Sequence, residues 1–306
     1  MWRSVALRVV LGAALATTVG FAAYALAGPA TDATIKAMTF SADGGLDHAF
    51  ATCPGAERAV GGGVVELAPE FVYVAASGPL DSSGTMADSK DGDTATQWYA
   101  AVSNGSSQTV DLKAFALCSQ TSDAMIEATP FSVDGRRTGD AFARCPAGRR
   151  ALGGGVVQSG WPDNRVLASG PLDASGAIAN TQDGDTATQW YAAVHNLPAY
   201  RGHFKVFALC SADSRATVEA TPLSVASGGN GDASARCPAG KRALGGGIVE
   251  SGPPNFLRVL ASGPLDGTGV PANTTDGDTA KQWYVAVQNR NAESVHFKVL
   301  AVCEPG

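Results

Sequence analysis

Short runs in which apolar and polar residues alternate succeed one another from Thr34 to the end of the chain. Thr34 to Phe40 alternates, as a half-buried strand does, and Ile126 to Val133 and Val218 to Val225 repeat the pattern. After the first of these come Phe50 to Cys53, a Pro54-Gly55 turn, and a denser apolar run from Arg58 to Glu66. Val72 to Ser77 follows and stops at Gly78-Pro79. A polar loop, Asp81 to Thr96, leads into Gln97 to Val102; an Asn104-Gly105 turn precedes Val110 to Cys118. Gly, Pro, Asn and Asp separate the runs, and no helical period is visible beyond the first 27 residues. The pattern predicts an all-β protein built of antiparallel sandwiches or barrels.

That set of runs is written three times. Cys53, Cys145 and Cys237 stand 92 residues apart and each opens a Cys-Pro segment that ends in a Gly triplet: Gly61–Gly63, Gly153–Gly155 and Gly245–Gly247. Trp98-Tyr99 returns as Trp190-Tyr191 and Trp283-Tyr284. A period this long is a module rather than a solenoid turn. The reading is therefore residues 28–121, 122–213 and 214–306 as three tandem β-modules. Linkers of about seven residues keep modules close, so they are expected to pack together. A pseudo-three-fold axis is one arrangement open to them; separate beads are the other.

Residues 1–27 read as a signal peptide: Arg3 and Arg8, an uncharged apolar stretch, then Ala25-Leu26-Ala27. The uncharged run, Val9 to Ala27, is long enough for a retained anchor in the membrane as the alternative. Removing the segment moves the net charge from −6 to −8 by loss of Arg3 and Arg8. An acidic chain without a basic stripe excludes nucleic acid as a partner. Only 16% of residues are charged, which leaves neutral surface that is easily buried between modules.

All six cysteines lie beyond the signal, two per module. In an exported chain they read as disulfides, and a module copied whole carries its own staple: Cys53–Cys118, Cys145–Cys210 and Cys237–Cys303. No Cys-x-x-Cys and no His cluster suggests a metal, and no cofactor motif is present.

Glycine triplets inside strand-like runs mark a bulge, a bend or a close backbone approach; no Lys-Ser/Thr follows that would make them a phosphate loop. Arg58, Arg150 and Arg242 precede them at matched positions. Asp91-Gly92-Asp93, Asp183-Gly184-Asp185 and Asp276-Gly277-Asp278 offer hard oxygens to a cation, but without further acidic positions and a distal Glu they read first as Asx turns feeding a strand. In each Trp-Tyr pair the rings point to opposite faces, one into the core and one outward or onto a neighbour, where it could stack on a sugar. His203 and His296 occupy matched positions but copy one has Asp111 there, so no Ser/His/Asp constellation repeats. The glycosylation patterns at Asn104 and Asn273 are absent from copy two and read as chance.

The segments Cys237 to Gly247, Trp283 to Asn289 and Val299 to Cys303 resemble a module of exported bacterial proteins of unknown function. More distantly, the threefold Cys-containing repeat is similar to three-fold β-prism proteins of the vitelline-membrane-outer-layer type. Their units are shorter, and no residue is carried over. The expectation is a secreted, non-enzymatic repeat protein for extracellular binding or cell-envelope structure, with a cell-wall or glycan component as partner. Two alternatives stand beside it: a lectin-like protein with one sugar site per module, and a secreted hydrolase with a site in one module only.

Overall fold

The computed structural model describes residues 28–67, 72–159, 164–250 and 257–306. The N-terminal segment read as a signal peptide or anchor lies outside the described residues. Copy one forms β1 (Thr34–Ala42), β2 (Gly45–Thr52), β3 (Arg58–Glu66), β4 (Val72–Leu80), β5 (Gln97–Asn104) and β6 (Val110–Ser119). Copy two forms β7 (Met125–Val133), β8 (Thr138–Arg144), β9 (Arg150–Gln158), β10 (Asn164–Leu172), β11 (Gln189–Asn196) and β12 (Gly202–Ser211). Copy three forms β13 (Thr217–Val225), β14 (Asn230–Arg236), β15 (Lys241–Glu250), β16 (Leu257–Leu265), β17 (Gln282–Asn289) and β18 (Val295–Pro305). The described residues contain no helix.

These 18 strands make three six-stranded antiparallel sheets, ordered β1-β6-β3-β16-β17-β14, β13-β18-β15-β10-β11-β8 and β2-β5-β4-β9-β12-β7. Within a copy, a β1-β6-β3 half faces a β2-β5-β4 half, as the layers of a small sandwich do. Each half is then completed by a half from another copy. Copies one and two share one sheet, two and three the second, and three and one the third, so the chain closes on itself. The sheets stay open at their edges, and none closes into a barrel among the described residues.

Each joint between halves rests on one paired register: Ser77 with Val156, Ser169 with Ile248, and Ser262 with Val64. The glycine triplets make these joints possible. A Cβ on Gly63 would stand 2.1 Å from the Ser262 carbonyl oxygen, one on Gly155 1.9 Å from that of Ser77, and one on Gly247 1.8 Å from that of Ser169. The first glycine of each triplet points to the same side and meets the next triplet. A Cβ on Gly61 would lie 1.8 Å from the Leu244 oxygen, on Gly153 2.4 Å from Val60, and on Gly245 2.2 Å from Leu152. Three strands, β3, β9 and β15, thereby touch backbone to backbone around an axis.

The middle glycine points the other way, into its own copy. There Gly62, Gly154 and Gly246 lie under the rings of Trp98, Trp190 and Trp283. Each indole Nε1 donates to a serine Oγ at the joint, Ser77, Ser169 and Ser262, at 2.9, 2.9 and 3.0 Å. A buried indole N–H thus has its acceptor. The register also slips between Ala59 and Gly61, Ala151 and Gly153, and Ala243 and Gly245, so the triplets sit at bulges as well.

The disulfides are Cys53–Cys118, Cys145–Cys210 and Cys237–Cys303, each with Cα atoms 5.5 Å apart. Each ties the turn after the second strand of a copy to its last strand and so clamps the two halves of that copy together. Closing such a loop is worth about 4 kcal/mol in the chain-entropy model.

Gly155→Ala is expected to cost about 3 kcal/mol or more, because backbone rather than a yielding side chain occupies the space. Gly267→Ala, whose Cβ would meet only the Lys281 side chain at 4.0 Å, is expected to stay within about 0.5 kcal/mol. Denaturant unfolding of the two variants checks the contrast.

Candidate functional site

The polar loop before each Trp-Tyr strand is held by the neighbouring copy. Lys205 on β12 donates from Nζ to the carbonyls of Met86, Ala87 and Ser89 at 2.8, 3.1 and 2.8 Å. Lys298 does the same for Ile178, Ala179 and Thr181, and Lys113 for Pro271, Ala272 and Thr274. An ammonium has three donors, and here all three are used on backbone of another copy. These lysines escaped sequence reasoning. Their signal was a lysine at a matched position inside an otherwise apolar strand.

The Asp-Gly-Asp loops dock beside them. Asp91 Oδ1 accepts from the Ala128 N–H at 2.7 Å, Asp183 Oδ1 from Ala220 at 2.6 Å, and Asp276 Oδ1 from Ala37 at 2.6 Å. The second aspartates, Asp93, Asp185 and Asp278, accept from Lys90, Gln182 and Thr275 and so close their own turns. Backbone bonds join Gly92 and Asp93 to Ile126, with equivalents at Val218 and Ile35. The loops thus cover β7, β13 and β1, which are edge strands. In copies two and three the strand adds a second carboxylate: Glu127 is pushed above the usual range by burial and then by Asp91, and Glu219 by burial and then by Asp183. At the third junction Lys36 pairs with Asp276 instead. No group of three or more His, Cys, Asp or Glu able to hold a metal occurs among the described residues. Arg58, Arg150 and Arg242 reach the carbonyls of Ala124, Ala216 and Ala33, again in the next copy round the ring.

The clamped loop forms one wall of a groove on the outer face of a shared sheet. Between copies one and two this groove has a volume of about 310 Å³ and is lined by His48, Phe50 and Tyr99 from copy one, Gln158 and Ser159 from copy two, and Met86 of the loop. Phe50 and Tyr99 have ring centroids 5.2 Å apart, and His48 lies 5.8 and 5.7 Å from them. Strand alternation places Tyr99 here because its neighbour Trp98 faces inward. The three tryptophans are 1 or 2% exposed, so the tyrosines are the outward members of the pairs. Tyr99 and Tyr284 are half-buried, whereas Tyr191 is buried against Phe142.

The polar lining differs between the three positions. Where the first groove has His48 and Gln158, the register places Asp140 near Tyr191 and Asp232 near Tyr284, and Glu250 and Glu66 of the adjoining copies act on the same two phenols. The Tyr191 phenol is raised by burial and then by the Asp140 and Glu250 carboxylates. Tyr284 is pushed up to about 12 by burial and then by Asp232 and Glu66, and Tyr99 to about 12 by burial. Glu250 is only 4% exposed, and burial lifts its carboxyl to about 7.

The histidines at matched positions bridge strands: His203 Nδ1 bonds Ser132 Oγ at 2.9 Å and His296 Nδ1 bonds Ser224 Oγ at 2.8 Å. In copy one Asp111 takes the same bond from Ser41 at 2.7 Å. Asn104 is buried, and its Nδ2 donates to Ala42 and Gln108, a pin repeated by Asn196 and Asn289. No protein-family model matches the chain, and no curated protein is significantly similar to it.

Lys205→Met is expected to lower stability by about 2 kcal/mol, since a charged donor leaves three carbonyls. Hydrogen exchange should quicken at Met86 to Ser89. With both aspartates of each pair engaged by N–H groups, thermal midpoints in Ca²⁺ and in chelator should agree; a rise of several degrees with Ca²⁺ would overturn the structural role. Glu250 binds a proton more tightly in the folded chain, so its contribution to stability falls as pH climbs from about 4.5 to about 7 and then levels. Glu250→Gln should be more stable than the parent above pH ~7 by up to about 3 kcal/mol and no more stable near pH ~4, as paired melts across pH would show.

Proposed function

We propose that the protein is an exported, non-enzymatic binding protein whose ligand-contact surfaces are the outer grooves of its shared sheets, with a glycan or cell-wall polysaccharide as ligand. The observation that carries this reading is the outward cluster of His48, Phe50 and Tyr99 beside Gln158 and Ser159. An aromatic platform next to amide and hydroxyl groups suits a sugar ring, whose apolar face stacks while its hydroxyls find hydrogen bonds. The framework supports the reading too. Lysine clamps and docked loops are the same at all three junctions, while the residues facing the grooves vary, as expected of a scaffold presenting related but different sites. Three disulfides fit an oxidising, extracellular environment. Three sheets around one axis support the likeness to three-fold β-prism proteins.

A second reading, a secreted hydrolase acting in one groove, is favoured by Glu250. A carboxyl lifted to about 7 keeps part of its protons near neutrality, and with Asp140 on the other side of Tyr191 it could serve as a general acid with a carboxylate partner. Binding ranks first because the position of Glu250 is Gln158 in copy two, whose groove keeps the aromatic cluster without the acid.

Glycan microarrays and cell-wall pull-downs with the mature protein test both readings. Binding should weaken at least about tenfold in Tyr99→Ala. Retention of full binding by that variant, or absence of any bound glycan, would contradict the first reading. Hydrolysis of a bound glycan that is lost in Glu250→Gln would replace it by the second.

A further inference from the structure

Copy two differs from its siblings at one place that the shared framework does not explain. The turn between β7 and β8 carries Arg136-Arg137, where copy three has Gly228-Gly229 and copy one Gly44-Gly45. Arg136 has φ 58°, against 68° and 103° for Gly228 and Gly44, and it is the one non-glycine residue at positive φ among the described residues. The backbone there suits glycine, yet an arginine is placed in it. Strain of this kind gathers at sites of function.

The two arginines face further cations. A cavity of about 420 Å³ is lined by Arg136, Arg137, Arg165 and His195, with Leu167 and Leu257 as its apolar wall and, among the described residues, no carboxylate. Thr138, which also lines it, bonds His195 Nδ1 at 3.1 Å, which orients the ring and leaves Nε2 for a ligand. Arg165 lies over the Tyr73 ring at 5.0 Å, and Arg258 lies over the same ring at 5.3 Å. The Nε atoms of both arginines are buried without a hydrogen-bond partner among the described residues. Burial and then Arg165 and Arg290 draw Arg258 down to about 10, and burial and then Arg165 hold His195 below its usual range. In the other copies the matched positions hold Tyr73 and Ser103, or Arg258 and Gln288, beside glycines. The cluster belongs to copy two alone, on a chain of net charge −6.

We propose that this cavity is an anion site, separate from the outer grooves, that takes a tetrahedral oxyanion, a phosphoryl or sulfo group, carried on a small organic body. Guanidinium forks match such oxygens in pairs, and imidazole adds a further donor. The volume exceeds that of a bare ion, and the leucine wall gives the organic body an apolar seat.

The test uses the mature protein, with melts in sodium phosphate or sodium sulfate against chloride at matched ionic strength, and calorimetric titration with glucose 6-phosphate and glucose 6-sulfate. Midpoints should rise by several degrees over chloride, and at least one sugar ester should bind more tightly than its inorganic ion. Preference for the phosphate or the sulfate ester identifies the source of the group. Arg136→Gly restores the residue of the other copies. It should raise the midpoint in chloride by about 2 °C while weakening ester binding at least about tenfold, so that loss of binding cannot be loss of fold. Arg165→Gln should weaken binding similarly. Equal melts in all three salts without titration heat, or unchanged binding in both variants, would overturn the site.

Discussion

Backbone must approach backbone where the three copies meet, and the absence of side chains at the glycine triplets is what permits it. Two glycines of each triplet lie on one face of a strand and the third on the other, and the period of two gives each face a task. The outer pair lets β3, β9 and β15 touch around the axis and join their sheets to β16, β4 and β10. The middle one receives an indole. Because each joint has one paired register, the shared sheets depend on this approach more than on a long ladder of hydrogen bonds.

Once backbones are this close, polar groups of one copy lie within reach of another, and at matched positions cations meet carbonyls, with the Lys36–Asp276 ion pair added at one junction. Lys113, Lys205 and Lys298 each spend all three donors this way, and Arg58, Arg150 and Arg242 each contribute one such bond. Such contacts need few acidic partners, in keeping with a chain in which only 16% of residues are charged. They also place the loop wall of the groove between copies one and two, so the candidate binding surface exists because the ring closes.

Much of this could be read from the residues. Alternating runs give strands, matched cysteines give the staples, and glycine inside a strand signals a bulge or a close approach. What could not be read is which half pairs with which. A half-sheet completed by its own copy and one completed by a neighbour show the same alternation, since burial depends on the face and not on the owner. Nor does local pattern separate a cation loop from a docking loop. The partner of Asp91 is the N–H of Ala128, 37 residues away and in the next copy. The carbonyls that Lys205 holds, those of Met86, Ala87 and Ser89, lie farther away still in sequence, so nothing local marks it as a clamp. The Trp-Tyr pairs announce opposite faces without saying which ring goes in; the space above Gly62 decides it.

If sheets are shared round a closed ring, no copy can unfold without exposing half of two sheets. Differential scanning calorimetry of the disulfide-intact protein from residue 28 onward tests this most directly. The account predicts one transition whose van't Hoff and calorimetric enthalpies agree for the whole chain. Separate transitions, or a van't Hoff enthalpy about one third of the calorimetric value, would mean that the copies fold as independent units and would contradict it.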